Sequence, residues 1–194
     1  LSEESFIQDL GVFNNLKLRA SYGEVGNTDA ISPYATQANI YQTFYDFDGS
    51  PALGYTINSL SNQGLVWERS KEFNLGIDFS LSDIKLSGTI EYYKRNTVDL
   101  ILDDKVPPST GFSDVINNVG EIENSGIEVA LNSVNLSTND FQWQTNLTFT
   151  SNNDKVVKLA GGITEDKGNR RFVGESVRAH FSYKFDGIWQ LGEE

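Results

Sequence analysis

Apolar and polar residues alternate with a period of two over much of this chain. From Phe73 to Leu81 the odd positions are Phe73, Leu75, Ile77, Phe79 and Leu81, and the even ones Asn74, Gly76, Asp78 and Ser80. Successive strand side chains point to opposite faces, so this stretch predicts a strand with one apolar and one polar face. Ser82 and Asp83 follow as turn residues. Then Ile84, Leu86, Gly88, Ile90 and Tyr92 alternate with Lys85, Ser87, Thr89, Glu91 and Tyr93. Two alternating runs around so short a turn predict a β-hairpin. A second hairpin pairs Ile127–Leu131 with Phe141–Phe149 through a polar turn at Asn135–Asp140. Leu16–Tyr22 and Phe181–Phe185 alternate in the same way, which makes about six predicted strands.

The connections between these strands are unequal. The turns near Ser82 and Ser137 are short, whereas Glu24–Val66, Ile101–Ser125 and Ser151–Val177 read as long loops rich in Gly, Asn, Asp, Ser and Pro. Short turns at one end and long loops at the other are the layout of an outer-membrane barrel. No linker divides the chain, so residues 1–194 are expected to be part of one β-barrel domain.

A soluble β-sandwich also alternates. Three features favour the barrel. Phe73–Leu81 and Ile84–Tyr92 each span nine residues, close to the ~9–11 that a tilted strand needs to cross a bilayer. Asp78, Glu91, Glu128, Gln142, Gln144 and Asn146 would suit a wet lumen. Trp67, Phe79, Tyr92, Phe141 and Trp143 lie toward strand ends, where interfacial girdles form. Composition is compatible: apolar residues are 38%, aromatic residues 12%, and no run approaches the ~18 apolar residues of a spanning helix. Six strands cannot close a barrel that needs about 8 or more. The reading therefore expects a fragment whose flanking strands lie outside it, in keeping with an absent initiator Met and signal segment. The predicted fold is all-β, an antiparallel up-and-down transmembrane β-barrel segment. In this register Phe73, Leu75, Ile77, Phe79, Ile84, Leu86, Ile90, Ile127, Val129, Leu131, Leu147 and Phe149 face lipid. Arg69, Lys71 and Lys94 share that parity but lie toward the long-loop end, and should sit above the hydrocarbon.

Charge and single residues narrow the chemistry. A formal net charge of −12 argues against nucleic acid and against docking on anionic lipid headgroups. Zero Cys and one His remove thiol nucleophiles, zinc–thiolate sites and multi-His metal sites.

At this point the residues resemble a known family. Leu16-Lys17-Leu18-Arg19-Ala20-Ser21-Tyr22-Gly23 with Val25-Gly26-Asn27 looks like a barrel strand of the SusC/RagA-type TonB-dependent transporters. So do Leu65-Val66-Trp67-Glu68-Arg69-Ser70, Gly88-Thr89-Ile90-Glu91-Tyr92-Tyr93 and Thr110-Gly111-Phe112. Asn118-Val119-Gly120, Asn124-Ser125-Gly126-Ile127-Glu128 and Asp186-Gly187-Ile188-Trp189-Gln190 continue the likeness in order. The resemblance implies a barrel of about 22 strands, with a plug domain and signal peptide absent from this chain. It implies import of glycans, peptides or similar nutrients at the bacterial cell outer membrane, a SusD-like lipoprotein lid, and TonB engaged through other parts of the parent chain. Outer-membrane lipid would surround it. The alternatives are a secreted or surface β-sandwich that binds carbohydrate, and a structural or assembly component using the same barrel.

The candidate sites are few. Asp46-Phe47-Asp48-Gly49-Ser50 resembles the start of a Ca²⁺ loop, but the twelfth position is Ile57 instead of Glu; a polar turn is the simpler reading. His180 lacks a nucleophile and carboxylate at informative spacing. Glu121 with Glu123, and Asp103 with Asp104, read as solvated acids on mobile loops. Gly161-Gly162 lacks the context of a phosphate loop. No catalytic, cofactor or metal residue is assigned. The substrate candidates are aromatic residues in the first long loop, Tyr34, Tyr41, Phe44, Tyr45 and Tyr55, whose faces could stack on sugar rings or apolar peptide side chains.

Overall fold

The computed structural model describes residues 1–29, 31–81 and 85–187. The turn at Ser82–Ile84 and the Ile188-Trp189-Gln190 motif lie outside them. After one helical turn, α1 (Ser5–Gln8), come strands β1 (Phe13–Asn27), β2 (Ile40–Phe47), β3 (Ser50–Ile57), β4 (Glu68–Leu81), β5 (Leu86–Lys105), β6 (Asp114–Ser137), β7 (Gln142–Lys158), β8 (Glu165–Asp166) and β9 (Arg171–Phe172). Five of them form one antiparallel sheet in the order β1-β4-β5-β6-β7. Among the described residues β2 pairs with β3 in a separate two-stranded sheet, and β8 with β9 in another.

The up-and-down order puts the end of β4, the start of β5 and the β6–β7 connection at one end of the sheet. Lys85 there accepts from the Val134 amide at 3.3 Å, and Thr138 closes on Phe141 at 2.8 Å. The three long connections leave from the other end. The register aligns the apolar faces of neighbouring strands row by row. Leu18 stands opposite Ile77, Ile77 opposite Ile90, Ile90 opposite Val129, and Val129 opposite Phe149. Two residues along, Leu16, Phe79, Gly88, Leu131 and Leu147 form the next row. On the opposite face Lys17, Asp78, Thr89, Ala130 and Thr148 align.

The apolar face stays uncovered. Phe149 is 57% exposed, Leu147 56%, Ile127 46% and Ile77 39%, and the buried apolar core among the described residues is Val156 and Leu159. A water-soluble sheet must cover such a face with a second layer. Among the described residues the large sheet has none, which argues against the sandwich. Bilayer hydrocarbon is the solvent that accepts the face as it stands. The five strands form an open sheet, and its closure requires further strands.

Arg69, Lys71 and Lys94 keep the outward parity and lie above the apolar rows at the long-loop end. Arg69 pairs with Asp99 at 2.8 Å and Glu24 at 3.4 Å, and Lys94 with Glu123 at 2.9 Å. The charged belt thus marks where hydrocarbon stops.

Three expectations need correction. The long loops are shorter than the pattern suggested. β5 and β6 continue as a ribbon to Lys105 and from Asp114, β7 continues to Lys158, and the Glu24–Val66 stretch contains the β2–β3 hairpin. Beyond the bilayer both faces of a ribbon meet water, so runs such as Ile101-Leu102-Asp103-Asp104 do not alternate although they are strand. Glu121 with Glu123, and Asp103 with Asp104, accordingly lie on strands and not on mobile loops. Finally, Phe181–Phe185 is not in a strand. The edge of β7 near Val156 is taken by residues before it: Val156 accepts from the Gly174 amide and donates to Glu175, both at 2.8 Å. Alternation alone does not make a strand without a ladder partner.

Candidate functional site

The polar face of the sheet carries an ordered charge network. Arg19 on β1 reaches across to Asp78 on β4, its Nε donating to Oδ2 at 2.8 Å and Nη2 to Oδ1 at 3.1 Å. The fork geometry of the guanidinium suits two parallel bonds to one carboxylate. Thr89 on β5 donates to the same carboxylate at 3.0 Å, and Arg19 also reaches Glu91 at 3.5 Å. Gly76 makes this possible: a Cβ there would sit 2.9 Å from Arg19 Nη2. Glu91 stands opposite Glu128, two like charges facing the same space. Higher on this face Tyr93 lies over Gly126 and donates to Asn152 at 2.9 Å. The result is a polar, concave surface able to meet water, solute or other polypeptide.

A second construction ties the loop end together. β5 bulges between Thr97 and Leu100, with Asp99 at φ 58°. The Asn118 side chain on β6 fills the gap. Its Oδ1 accepts from the Val66 amide at 2.8 Å, and its Nδ2 donates to Val66 O at 2.8 Å and Asp99 O at 2.7 Å. Glu68 accepts from the Ile101 amide at 3.1 Å and from Asn27 at 3.2 Å. The start of β4 is thereby fixed to β1, β5 and β6. Asn118 and Glu68 were not singled out as site residues from the sequence; the ordered motifs containing them were the available signal.

The five substrate candidates do not form one platform. Tyr34 lies in a turn before the hairpin, where its carbonyl accepts from Gln37 N at 3.0 Å. The β2–β3 register divides the others. Phe44 and Tyr55 share a face with Ile40, Leu53 and Ile57, while Tyr41 and Tyr45 share the other with Phe47, Thr43 and Thr56. Tyr45 and Phe47 meet edge to face at 6.2 Å. All five are at least half exposed. The acidic stretch that resembled a Ca²⁺ loop is the turn of this hairpin. Asp48 and Gly49 both have positive φ, at 51° and 73°, as a two-residue primed turn requires.

Other candidates are dispersed. His180 is exposed. Glu121 accepts from Asn96 at 2.8 Å, and Glu123 bridges Lys94 and Lys155. Asp166, on the small β8–β9 hairpin, is held below the usual aspartate range, first by the Asn169 side chain donating at 2.7 Å, then by the Asn169 amide and the nearby Arg171 and Lys105.

An open antiparallel sheet with one bare apolar and one networked polar face defines a segment of a transmembrane β-barrel. Comparison with known proteins gives the particular family. Residues 9–192 match the family described as TonB dependent receptor-like, beta-barrel, and the chain belongs to it. It is 37% identical over its whole length to TonB-dependent receptor P26 of Formosa agariphila, covering 20% of that protein. It is 32% identical to TonB-dependent receptor SusC of Bacteroides thetaiotaomicron over 86% of this chain and 17% of that one. Among solved structures it resembles the RagAB peptide transporter, at TM-score 0.72 and 28% identity over 88% of this chain and 19% of that one. The RagAB peptide importer in its open-open state aligns at TM-score 0.75. The chain thus spans about a fifth of the length of these relatives. The SusC/RagA likeness and the outer-membrane barrel are therefore established for this segment.

Proposed function

We propose that the chain is part of a SusC-type importer that takes up oligosaccharides or peptides with a SusD-like lipoprotein partner. In this reading, TonB is engaged through other parts of the parent protein. The long-connection end faces the cell exterior and the two short turns the periplasm. The observation that carries the proposal is the two-faced β2–β3 hairpin at the outer end. An isolated two-stranded hairpin is marginal in water, so faces this apolar call for partners. The Phe44, Leu53, Tyr55 face also carries Ile40, Ile57 and Pro51, with Gln42 and Asp46 as its polar members, and suits the lipoprotein lid. The Tyr41, Tyr45, Phe47 face mixes rings with the hydroxyls of Thr43 and Thr56, and suits a ligand with apolar faces and polar edges. The RagAB structures support a peptide as substrate, since those proteins are described as a peptide transporter. The polar sheet face would line the passage.

The test is uptake by the full-length parent. Tyr41→Ala with Tyr45→Ala should lower uptake of labelled peptide or oligosaccharide while co-purification with the lipoprotein persists. Phe44→Ala with Tyr55→Ala should weaken lipoprotein retention first. Unchanged uptake and unchanged retention in both variants would reject the assignment. The parent is expected to hydrolyse neither substrate, including after changes at His180 or the acidic pairs. Substrate cleavage by the purified parent, lost with His180→Ala, would assign it an enzymatic role instead.

A further inference from the structure

The lipid-facing surface changes from apolar to polar at different heights on different strands. In one row, Tyr22 and Phe73 on β1 and β4 are still apolar, whereas β5, β6 and β7 already present Lys94, Ser125 and Asn153. The next row on this face, toward the loops, holds Glu24, Lys71, Asn96, Glu123 and Lys155. The rows beneath hold Leu75, Tyr92, Ile127 and Ser151, then Ile77, Ile90, Val129 and Phe149, with no charged residue. Over β5–β7, then, two ammonium groups, a hydroxyl and an amide stand directly above an apolar column. Glu123 lies between the lysines, Oε2 at 2.9 Å from Lys94 Nζ and Oε1 at 2.9 Å from Lys155 Nζ. Each ammonium carries three N–H donors. One on Glu123 leaves two on each lysine for another acceptor, and the trio keeps a surplus of one positive charge.

We infer that this β5–β7 patch seats the phosphate-bearing headgroup of an anionic lipid in the leaflet on the long-loop side. The net charge of −12 is no obstacle, because the acids of the rows below lie on the opposite face of the sheet. The source of the phosphate follows from continuity. The donors stand over the column of Ile127, Val129 and Phe149, of which Ile127 and Phe149 are exposed; acyl chains would cover it and a free anion would not. The inference rests on the lipid-facing assignment of that column.

The experiment uses the purified full-length parent in nanodiscs and two probes, a bis-phosphorylated acylated disaccharide and its dephosphorylated form, with binding measured by native mass spectrometry. The phosphorylated probe should bind more tightly to the wild type. A lysine near an anionic group strengthens association about five-fold, so Lys94→Gln with Lys155→Gln should weaken that binding roughly 25-fold. Lys17→Gln, on the polar face, should not change it. Lys94→Arg with Lys155→Arg should restore it, and heat-modifiable electrophoresis checks that each variant is folded. Equal affinity of wild type for the two probes, or no loss in the Gln pair, overturns the inference. If the Gln pair does not assemble, the wild-type preference between probes decides alone. Displacement of the phosphorylated probe by inorganic phosphate would assign the patch to free anions and overturn the lipid source. Failure of the underlying assignment looks different: neither probe binds, and Ile77→Arg is tolerated in the membrane.

Discussion

At the scale of single residues, space decides more than charge. Gly126 has unexceptional backbone angles, yet a Cβ there would lie 2.6 Å from Ser151 O and 2.6 Å from Tyr93 Oη. The carbonyl belongs to the ladder and cannot withdraw, so Gly126→Val should force β6 and β7 apart and displace Tyr93 from Asn152. Gly23, also in a strand, has nothing within 4 Å of such a Cβ. Thermal stability of the purified parent should fall markedly for Gly126→Val and little for Gly23→Val; equal losses would contradict the packing argument. Charge acts more gently. Arg19 and Asp78 are 39% and 28% exposed in their side chains, a setting in which solvent screens an ion pair and leaves it little net stability. Arg19→Ala should be a small destabilisation. The double variant with Asp78→Ala should cost less than the two single changes summed, because the first removes the partner of the second. Asn118→Ala should be worse than either. It removes the partner of the Val66 amide and of two carbonyls, at about 0.5–1.5 kcal/mol for each hydrogen bond lost, and hydrogen exchange at Val66 should report it.

At the scale of elements, legibility followed the solvent. Where strands lie between hydrocarbon and a wet interior, alternation is forced. Thus β4, the first half of β5, β6 around Ile127–Leu131, and β7 around Leu147–Phe149 could be read directly. Where β5 and β6 rise out of the membrane both faces meet water, and only turn chemistry such as Pro107-Pro108 and Gly111 remains. The β2–β3 hairpin lay within what reads as a long loop; Asp46–Ser50 suggested either a polar turn or the start of a cation loop, and the hairpin geometry decides for the turn. The division of Tyr41 and Tyr45 from Phe44 and Tyr55 needed the pairing register, which loop composition does not specify. The β8–β9 hairpin is too short to show any period. Its Asp166 offers a pH test. Its carboxyl is held below the ordinary range by Asn169 and nearby cations. The folded hairpin therefore gains stability from this group above the unfolded-state pKa, and loses it as pH falls through the lower folded value. Protection from hydrogen exchange across 164–173, taken relative to the intrinsic amide rate at each pH, should fall only in acid, and Asp166→Asn should flatten that dependence. A loss of protection between neutral and mildly alkaline pH would contradict the assigned cause.

At the scale of the whole molecule, the sheet is intelligible only with two different solvents on its faces. Rows whose Leu, Ile and Phe members reach 39–57% exposure would aggregate in water, while the Arg19–Asp78–Glu91 network would be stranded in lipid. The family match and the bare face agree on the bilayer, and the charged belt at Arg69, Lys71 and Lys94 sets its upper limit. Neighbouring positions on one strand should therefore respond oppositely to one substitution. Ile77 lies in the middle of the apolar rows and Asp78 beside it on the polar face. An arginine on the lipid face near mid-bilayer costs about 2–4 kcal/mol, whereas a wet interior accepts it at little cost. In the full-length parent, Ile77→Arg should reduce insertion into outer membranes, measured by heat-modifiable electrophoresis of membrane fractions. Asp78→Arg should insert, although it sets two arginines against each other and should alter passage through the interior. Introducing Arg19→Asp beside Asp78→Arg should recover part of that loss by reversing the pair, and should do nothing for Ile77→Arg. Equal insertion of the two single variants, or the reverse ranking, would mean that the register is displaced by one residue and that every facing assignment on β4 must be exchanged.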